Sequence, residues 1–316
     1  MISGAFVEQA FASHIAAVNF MQYAALHNKV YETTEEFMQR LSLFNASLEK
    51  IEEQNSSNST WTAGLNHMSD WTNAEYDSLL GLKNMDVDVT REDAIWPFRG
   101  IPNADSVDWR TKAGVVTPVK DQGQCGSCWA FSATEAVESA YVIAGNEQVI
   151  MAPQELVDCA KGMFSSHGCS GGWYYYAYKW LKNKKTMTEA DYPYTSGAAG
   201  KETKCAYDEA KGVTNVSSYK QVSADTDSIK AAIEIGPVNV AVSAGNDVFR
   251  NYQSGIITEA DGCPNRVDHA IVAVGYGYEG EQGYYIVRNS WNTTWGDNGY
   301  IKIGMADGKT GVCGIN

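Results

Sequence analysis

Three textures of hydrophobic and polar positions follow one another along the chain. From Ala10 to Leu26 an Ala-rich stretch with scattered Phe, Met and Tyr predicts one helix. Thr33-Thr34-Glu35-Glu36 has the spacing of a capping box, and Phe37, Leu41, Phe44, Leu48 and Ile51 recur at helical spacing. They predict a second helix whose apolar stripe packs on the first, ended by the polar run from Asn55 to Thr60. Thr72-Asn73-Ala74-Glu75 is another capping box and opens a short third helix. Residues 83 to 104 mix charge, Pro and Gly without a period and read as an exposed linker. A second helical region follows. Ala130, Ala133, Val137, Ala140 and Tyr141 share one face, Glu135 and Glu138 lie on the other, and Gly145-Asn146 is the stop. Gln154 to Cys159 belongs to a further helix. From about residue 213 the runs become short and β-rich: Val238–Val242, Ala270–Val274 and Tyr284–Val287, separated by Gly and Asp turns. A helical half followed by a β half predicts an α+β protein with a cleft between two lobes.

The length of 316 residues allows roughly two domains. A formal net charge of −14 argues against nucleic acid or an anionic membrane as partner. No apolar run approaches the roughly 18–20 residues of a membrane span. All seven cysteines lie at or after Cys125. An odd count suits one reactive thiol and three bridges made on an oxidising route, hence a secreted or lysosome-like destination. The alternative is seven reduced, buried cysteines in a cytosolic protein. Met1 to Phe6 has neither a basic start nor a continuous apolar core, so no signal peptide is visible.

The candidate chemistry centres on Asp121-Gln122-Gly123-Gln124-Cys125-Gly126-Ser127-Cys128-Trp129-Ala130-Phe131. Cys128 opens a helix, where free N–H groups and the macrodipole favour a thiolate. Only His167 and His269 follow it; His269 heads a β run, within the interval of about 130–150 residues at which a thiol protease places its base. Asn289 comes later, in Arg288-Asn289-Ser290-Trp291. A thiol protease needs a nucleophile, a base, a group orienting the base, and oxyanion donors.

Cys-Gly-Ser-Cys-Trp is the local signature of papain and cathepsin cysteine proteases, and the longer string resembles that family almost residue for residue. The resemblance implies a papain-like two-lobe α+β fold over residues 105–316. Its helical lobe spans about 115–212 and its β-barrel-like lobe about 213–316. The mature enzyme would start near Ser106-Val107-Asp108-Trp109-Arg110, after a cut near residues 98–105. Cys128 is then the nucleophile, His269 the base and Asn289 its orienting group. Gln122 and the Cys128 backbone N–H are the oxyanion donors, and Trp291 shields the Asn289–His269 bond. The active form is a thiolate–imidazolium pair, with the thiol pKa lowered toward about 3–4. The implied bridges are Cys125–Cys169, Cys159–Cys205 and Cys263–Cys313. Substrate positions are Gly171, Gly172, Trp173, Tyr174, Ala241, Val267, Asp268, Ala270 and Trp291, whose small, apolar walls favour a hydrophobic or aromatic P2 residue. In the family another strand usually follows the point reached by Asn316, carrying the base of that pocket. Asn292, in one of five glycosylation sequons, stands where the family usually has Gly. No His-His insertion resembles an occluding loop, which favours an endopeptidase over a dipeptidase.

Residues 1–104 resemble the inhibitory propeptide of cathepsin L-like proteases. Glu36, Arg40, Phe44, Ile51 and Asn55 match its helical motif, with Ser47 in place of an Asn. Gly64, Asn66, Met68 and Asp70 match its second motif, with Met in place of Phe. The chain is therefore expected to be a zymogen. Its linker would cross the cleft in the non-substrate direction, and Asp70 would help to sense acid. The expected partners are protein and peptide substrates and the chain's own propeptide, as a monomer in a lysosome or vacuole or outside the cell. No cofactor, metal, nucleic acid or membrane is expected. Three other readings compete. Cys125 and Cys128 form a Cys-x-x-Cys before a helix, as in disulfide oxidoreductases. Cys125, Cys128, His167 and Cys169 could hold zinc. An inactive homologue could act as a binding protein.

Overall fold

The computed structural model describes residues 4–82, 98–161, 166–306, 308 and 310–316. Most of the predicted linker, residues 83–97, lies outside the described residues. Helix α1 spans Gly4–Leu26, longer than its Ala-rich core predicts, and α2 spans Thr34–Ser56. They cross through an aromatic contact in which Phe20 meets Tyr31, Phe37 and Phe44 at ring separations of 5.4, 5.1 and 5.4 Å. Thr33 caps α2 by accepting from the Glu36 N–H. The Glu36 carboxylate, however, accepts from the Glu32 N–H, so this capping box is only half formed. The second box is complete, with Thr72 and Glu75 satisfying each other's backbone at the start of α3 (Asn73–Asp77).

Between α2 and α3 the chain forms a strand missed by periodicity, β1 (Trp61–Ala63). After a short β2 (Val107–Asp108) comes the central helix α4, Cys128–Ile143, ending just before Gly145, whose φ is +93°. Every residue from Cys128 to Ser139 is buried. Glu135 and Glu138 therefore do not face water. Glu135 meets Arg288, and Glu138 meets Lys120 and the Met151 N–H. The lobe around α4 is completed by α5 (Pro153–Cys159), α6 (Tyr174–Asn183) and α7 (Ser196–Ala199).

The other lobe contains α8 (Thr226–Ile235), β3 (Val238–Val242), α9 (Asp247–Asn251) and β4 (Tyr252–Ile257). Strands β5 (His269–Glu279), β6 (Gln282–Arg288) and β7 (Tyr300–Gly304) follow. The sheet order is β1-β4-β7-β6-β5-β2, with β3 also paired to β5. The path is open, so the barrel-like lobe is an open, mostly antiparallel sheet. Strand β1 lies at one edge, paired with β4. One continuous apolar core joins Ile51, Trp61, Met68, Tyr76, Leu79 and Leu80 of the N-terminal segment to Tyr252, Trp291, Trp295 and the inner faces of β5–β7. Among the described residues no helix is long and apolar enough to cross a membrane.

Candidate active site

The first turn of α4 and the first residue of β5 bring the expected chemistry together. Cys128 is fully buried and is the free cysteine among the described residues. The N–H of Ala270, next to His269, points at its Sγ at 3.4 Å. His269 Nε2 lies 2.8 Å from Asn289 Oδ1, which also accepts the Ser290 N–H. Nδ1, the other ring nitrogen, makes no hydrogen bond. The Trp291 ring covers the imidazole, with centroids 4.5 Å apart. Gln122 is anchored by its Oε1, which accepts from the Ser290 hydroxyl at 2.8 Å.

The sulfur is not open to solvent, because residues 79–82 lie on it. Gln122 Nε2 donates to the Leu79 carbonyl at 2.8 Å, and the Gly172 N–H to the Gly81 carbonyl at 2.9 Å. The Leu82 N–H donates to the Asp268 carbonyl at 2.9 Å. Gly81 is required by space: a Cβ there would sit 2.1 Å from the Gly126 carbonyl oxygen and 3.1 Å from Cys128 Sγ. Gly171, at φ +118°, is equally tight against the Gly81 carbonyl. The segment at the nucleophile thus comes before the linker that the sequence had crossing the cleft. A signal was available in Leu79-Leu80-Gly81-Leu82, an apolar run with one glycine directly after a capped helix.

This cover works against ionising the pair. Burial pushes the Cys128 thiol up to about 11, although the N–H groups of Ala270, Gly81 and Trp129 pull the other way. Burial pushes His269 down to about 4, against the bond from Asn289. Both shifts favour the neutral forms while the segment covers the site; the expected thiolate–imidazolium pair belongs to the uncovered enzyme.

Of the substrate positions, Trp173, Tyr174, Ala241 and Val267 line a cavity of about 540 Å³ between α4, α6 and β3. Ala270 is buried in the same apolar cluster as Leu82. The Asp268 carboxylate accepts from the Ala244 and Gly245 N–H groups. His167 is remote from this chemistry, its backbone paired with Ser170 and Gly171.

The N-terminal motif residues interlock. Arg40 makes a two-pronged contact with Glu75 at 2.6 and 2.7 Å and donates to the Asp70 carbonyl. Ser47 donates to the Ser69 carbonyl, and Asn55 exchanges two bonds of 2.9 Å with Ala63. Phe44, Ile51 and Met68 are buried, and Glu36 lies 3.9 Å from Arg40. The Gly64 N–H donates to Asn251 and Asn66 Nδ2 to the Arg250 carbonyl, docking the segment on α9. The Asp70 carboxylate accepts from Tyr23, Lys29 and Tyr31 at 2.9, 2.6 and 2.8 Å. Sequence reasoning missed His67, half-buried with its Nδ1 2.8 Å from Thr294 Oγ1; burial lowers its pKa.

The structure holds three disulfides, Cys125–Cys169, Cys159–Cys205 and Cys263–Cys313. The first overturns two competing readings. It takes Cys125 away from Cys128, which breaks the Cys-x-x-Cys pair, and it removes two thiolates from the zinc set.

Comparison with known proteins gives the same picture. Residues 103–316 match the family model described as papain family cysteine protease, and residues 20–76 match the cathepsin propeptide inhibitor domain. The chain is 42% identical over 217 residues to digestive cysteine proteinase 2 of Homarus americanus, covering 68% of this chain and 65% of that protein. It is 46% identical over 215 residues to germination-specific cysteine protease 1 of Arabidopsis thaliana, covering 67% of this chain and 55% of that one. The structure of digestive procathepsin L 3 from Tenebrio molitor larval midgut superposes with a TM-score of 0.82 at 30% identity. That match covers 95% of this chain and 96% of the other.

Proposed function

The chain belongs to the papain family of cysteine proteases, and on that premise we propose that it is a cathepsin L-like endopeptidase held as a zymogen by residues 1–104. One observation carries the reading. The sulfur beside the His269–Asn289 pair is covered by the chain's own Gly81, while Gln122 holds a carbonyl of the same segment. That carbonyl occupies the place of a substrate carbonyl. Contacts run from Leu79 at Gln122 to Leu82 at Asp268, which supports passage against the substrate direction.

Once the segment leaves, water and the imidazolium replace the apolar cover. The helix N-terminus then stabilises a Cys128 thiolate, and Asn289 holds the charged ring toward it. The thiolate attacks the peptide carbonyl; Gln122 Nε2 and the Cys128 N–H bind the oxyanion. His269 protonates the leaving amine, and water hydrolyses the thioester. The walls at Trp173, Tyr174, Ala241, Val267 and Ala270 favour a hydrophobic P2 residue. The peptidase domain begins at about residue 105, and the enzyme works in an acidic lysosome or vacuole or after secretion. Its substrates are proteins and peptides, and it acts as a monomer.

Acid is the trigger. His27 and His67 have pKa values lowered by burial in the docked segment, so protonating them favours release. The test is hydrolysis of a fluorogenic peptide with a hydrophobic P2 residue after bringing the full chain to about pH 4.5–5 with mild reductant. Activity should appear as the N-terminal segment is lost and be absent from Cys128→Ser. Processing of the unsubstituted chain without turnover would refute the catalytic assignment.

A further inference from the structure

One buried carboxyl–guanidinium contact joins the two elements that carry the nucleophile and the orienting amide. Glu135 lies seven residues after Cys128 on α4, close to two turns and about 10 Å along the axis, and so on the same face. Arg288 ends β6 and is the immediate neighbour of Asn289. Glu135 Oε1 is 3.2 Å from Arg288 Nη2, with the two side chains 2% and 1% exposed. The guanidinium is also held by Thr117 Oγ1 at 3.1 Å from Nη1 and by the Pro118 carbonyl. Lys120, Glu138 and Tyr300 are the other ionisable groups whose fields reach this pair.

Stability alone does not account for such a pair, since well-packed apolar residues fill a buried site as well or better. What the carboxyl–guanidinium contact adds, whatever its charge, is direction. Helix α4 packs on β5, and β6 is hydrogen-bonded to the far side of that strand, with Arg288 opposite Val272. A fixed bridge from Glu135 to Arg288 therefore sets the height of the end of β6 against the helix. We propose that the Glu135–Arg288 pair is a positioning strut that holds Asn289, and through it His269, in line with Cys128. The proposal rests on the catalytic roles assigned above to Cys128, His269 and Asn289.

The test uses the full chain carrying Glu135→Leu and Arg288→Met together, acid-treated beside the unsubstituted chain. Removing both partners leaves neither side of the contact buried without the other. The expected result is a fall in kcat of about 10–100-fold, with KM changed by less than about twofold. The pH window of rapid Cys128 alkylation should also narrow from both sides, because a displaced Asn289 stabilises the imidazolium less. An unchanged window with unchanged kcat overturns the strut, whether or not thermal stability falls. If the double variant does not mature, Arg288→Lys carries the same test: a smaller kcat loss at constant KM supports the strut, and wild-type kcat and window overturn it. The two readings fail separately. An inactive unsubstituted chain refutes the catalytic roles, while the alkylation windows of the two chains still report on the strut.

Discussion

In the N-terminal segment Asp70 and Glu75 are tied to cations and hydroxyls, whereas Glu135, Glu155 and Glu189 of the peptidase domain are dominated by desolvation. Arg40 holds Glu75 well below the usual range, at about 2. Burial pushes Glu135 up to about 7, against the pull of Arg288 and Lys120, and raises Glu155 and Glu189 as well. These carboxyls therefore answer acid in opposite senses. Glu75 contributes stability above its unfolded value of 4.5 that is lost as the pH falls toward about 2. The lowered pKa values of His27 and His67 contribute stability above 6.5 that is lost as these rings protonate, so the histidines act first on mild acidification. Glu135 is opposite: its contribution is fully present below 4.5 and is lost as the pH rises through about 7. Under the acid trigger proposed above, the histidines loosen the cover while Glu135 gains.

The largest effect that would break this contrast comes from Gly81→Ala. Its Cβ would strike the Gly126 carbonyl at 2.1 Å, backbone against backbone, so the cover must lift without any proton. Overpacking of about 1–3 kcal/mol converts to inhibition weaker by about 5–150-fold at neutral pH, read as peptide hydrolysis and Cys128 alkylation at pH 7. Full latency in this variant would show that residues 79–82 are not what covers the sulfur. Next is Glu75→Gln, which leaves the Arg40 contact without its ionic component. A loss of about 1–2 kcal/mol in docking at neutral pH is expected. It should raise the pH of half-release without moving the melting temperature of the matured domain; a lower pH of half-release would contradict the anchor. The smallest effect is Glu135→Gln in the matured domain. Its melting temperature should rise less than the unsubstituted domain's between pH 7 and 5, and an equal rise would place the acid gain elsewhere.

Much of the covering region was legible because its signals are local. The Thr72 and Glu75 box and the stripe through Phe44 and Ile51 are fixed by spacing, and the structure forms the helices they predict. Other features depend on partners far away in the chain. Strand β1 is three residues long and exists because β4 offers it an edge nearly two hundred residues later. Glu135 and Glu138 read as the polar face of an amphipathic helix, yet a helix surrounded on all sides has no water-facing side. Arg288, Lys120, Thr117 and the Met151 N–H, none of them on the helix, make that face tolerable. The motif around Cys128 indicated a reactive sulfur, but a local string carries no information on what lies over it. Residues 79–82, from elsewhere, lie over it.

The edge pairing of β1 has a consequence for the protein after it has been cut. Trp61, Thr62 and Ala63 now satisfy the outer side of β4 opposite Gly255, Ser254 and Tyr252. When they leave, the other side of β4 stays bound to β7, while its outer row of N–H and C=O groups is handed to solvent as an unfilled template. Release therefore opens two surfaces at once, the groove that cuts extended chains and a ledge that can zip onto them. On the proposed maturation, this ledge is where the cut protein is open to pairing with another chain and the uncut one is not.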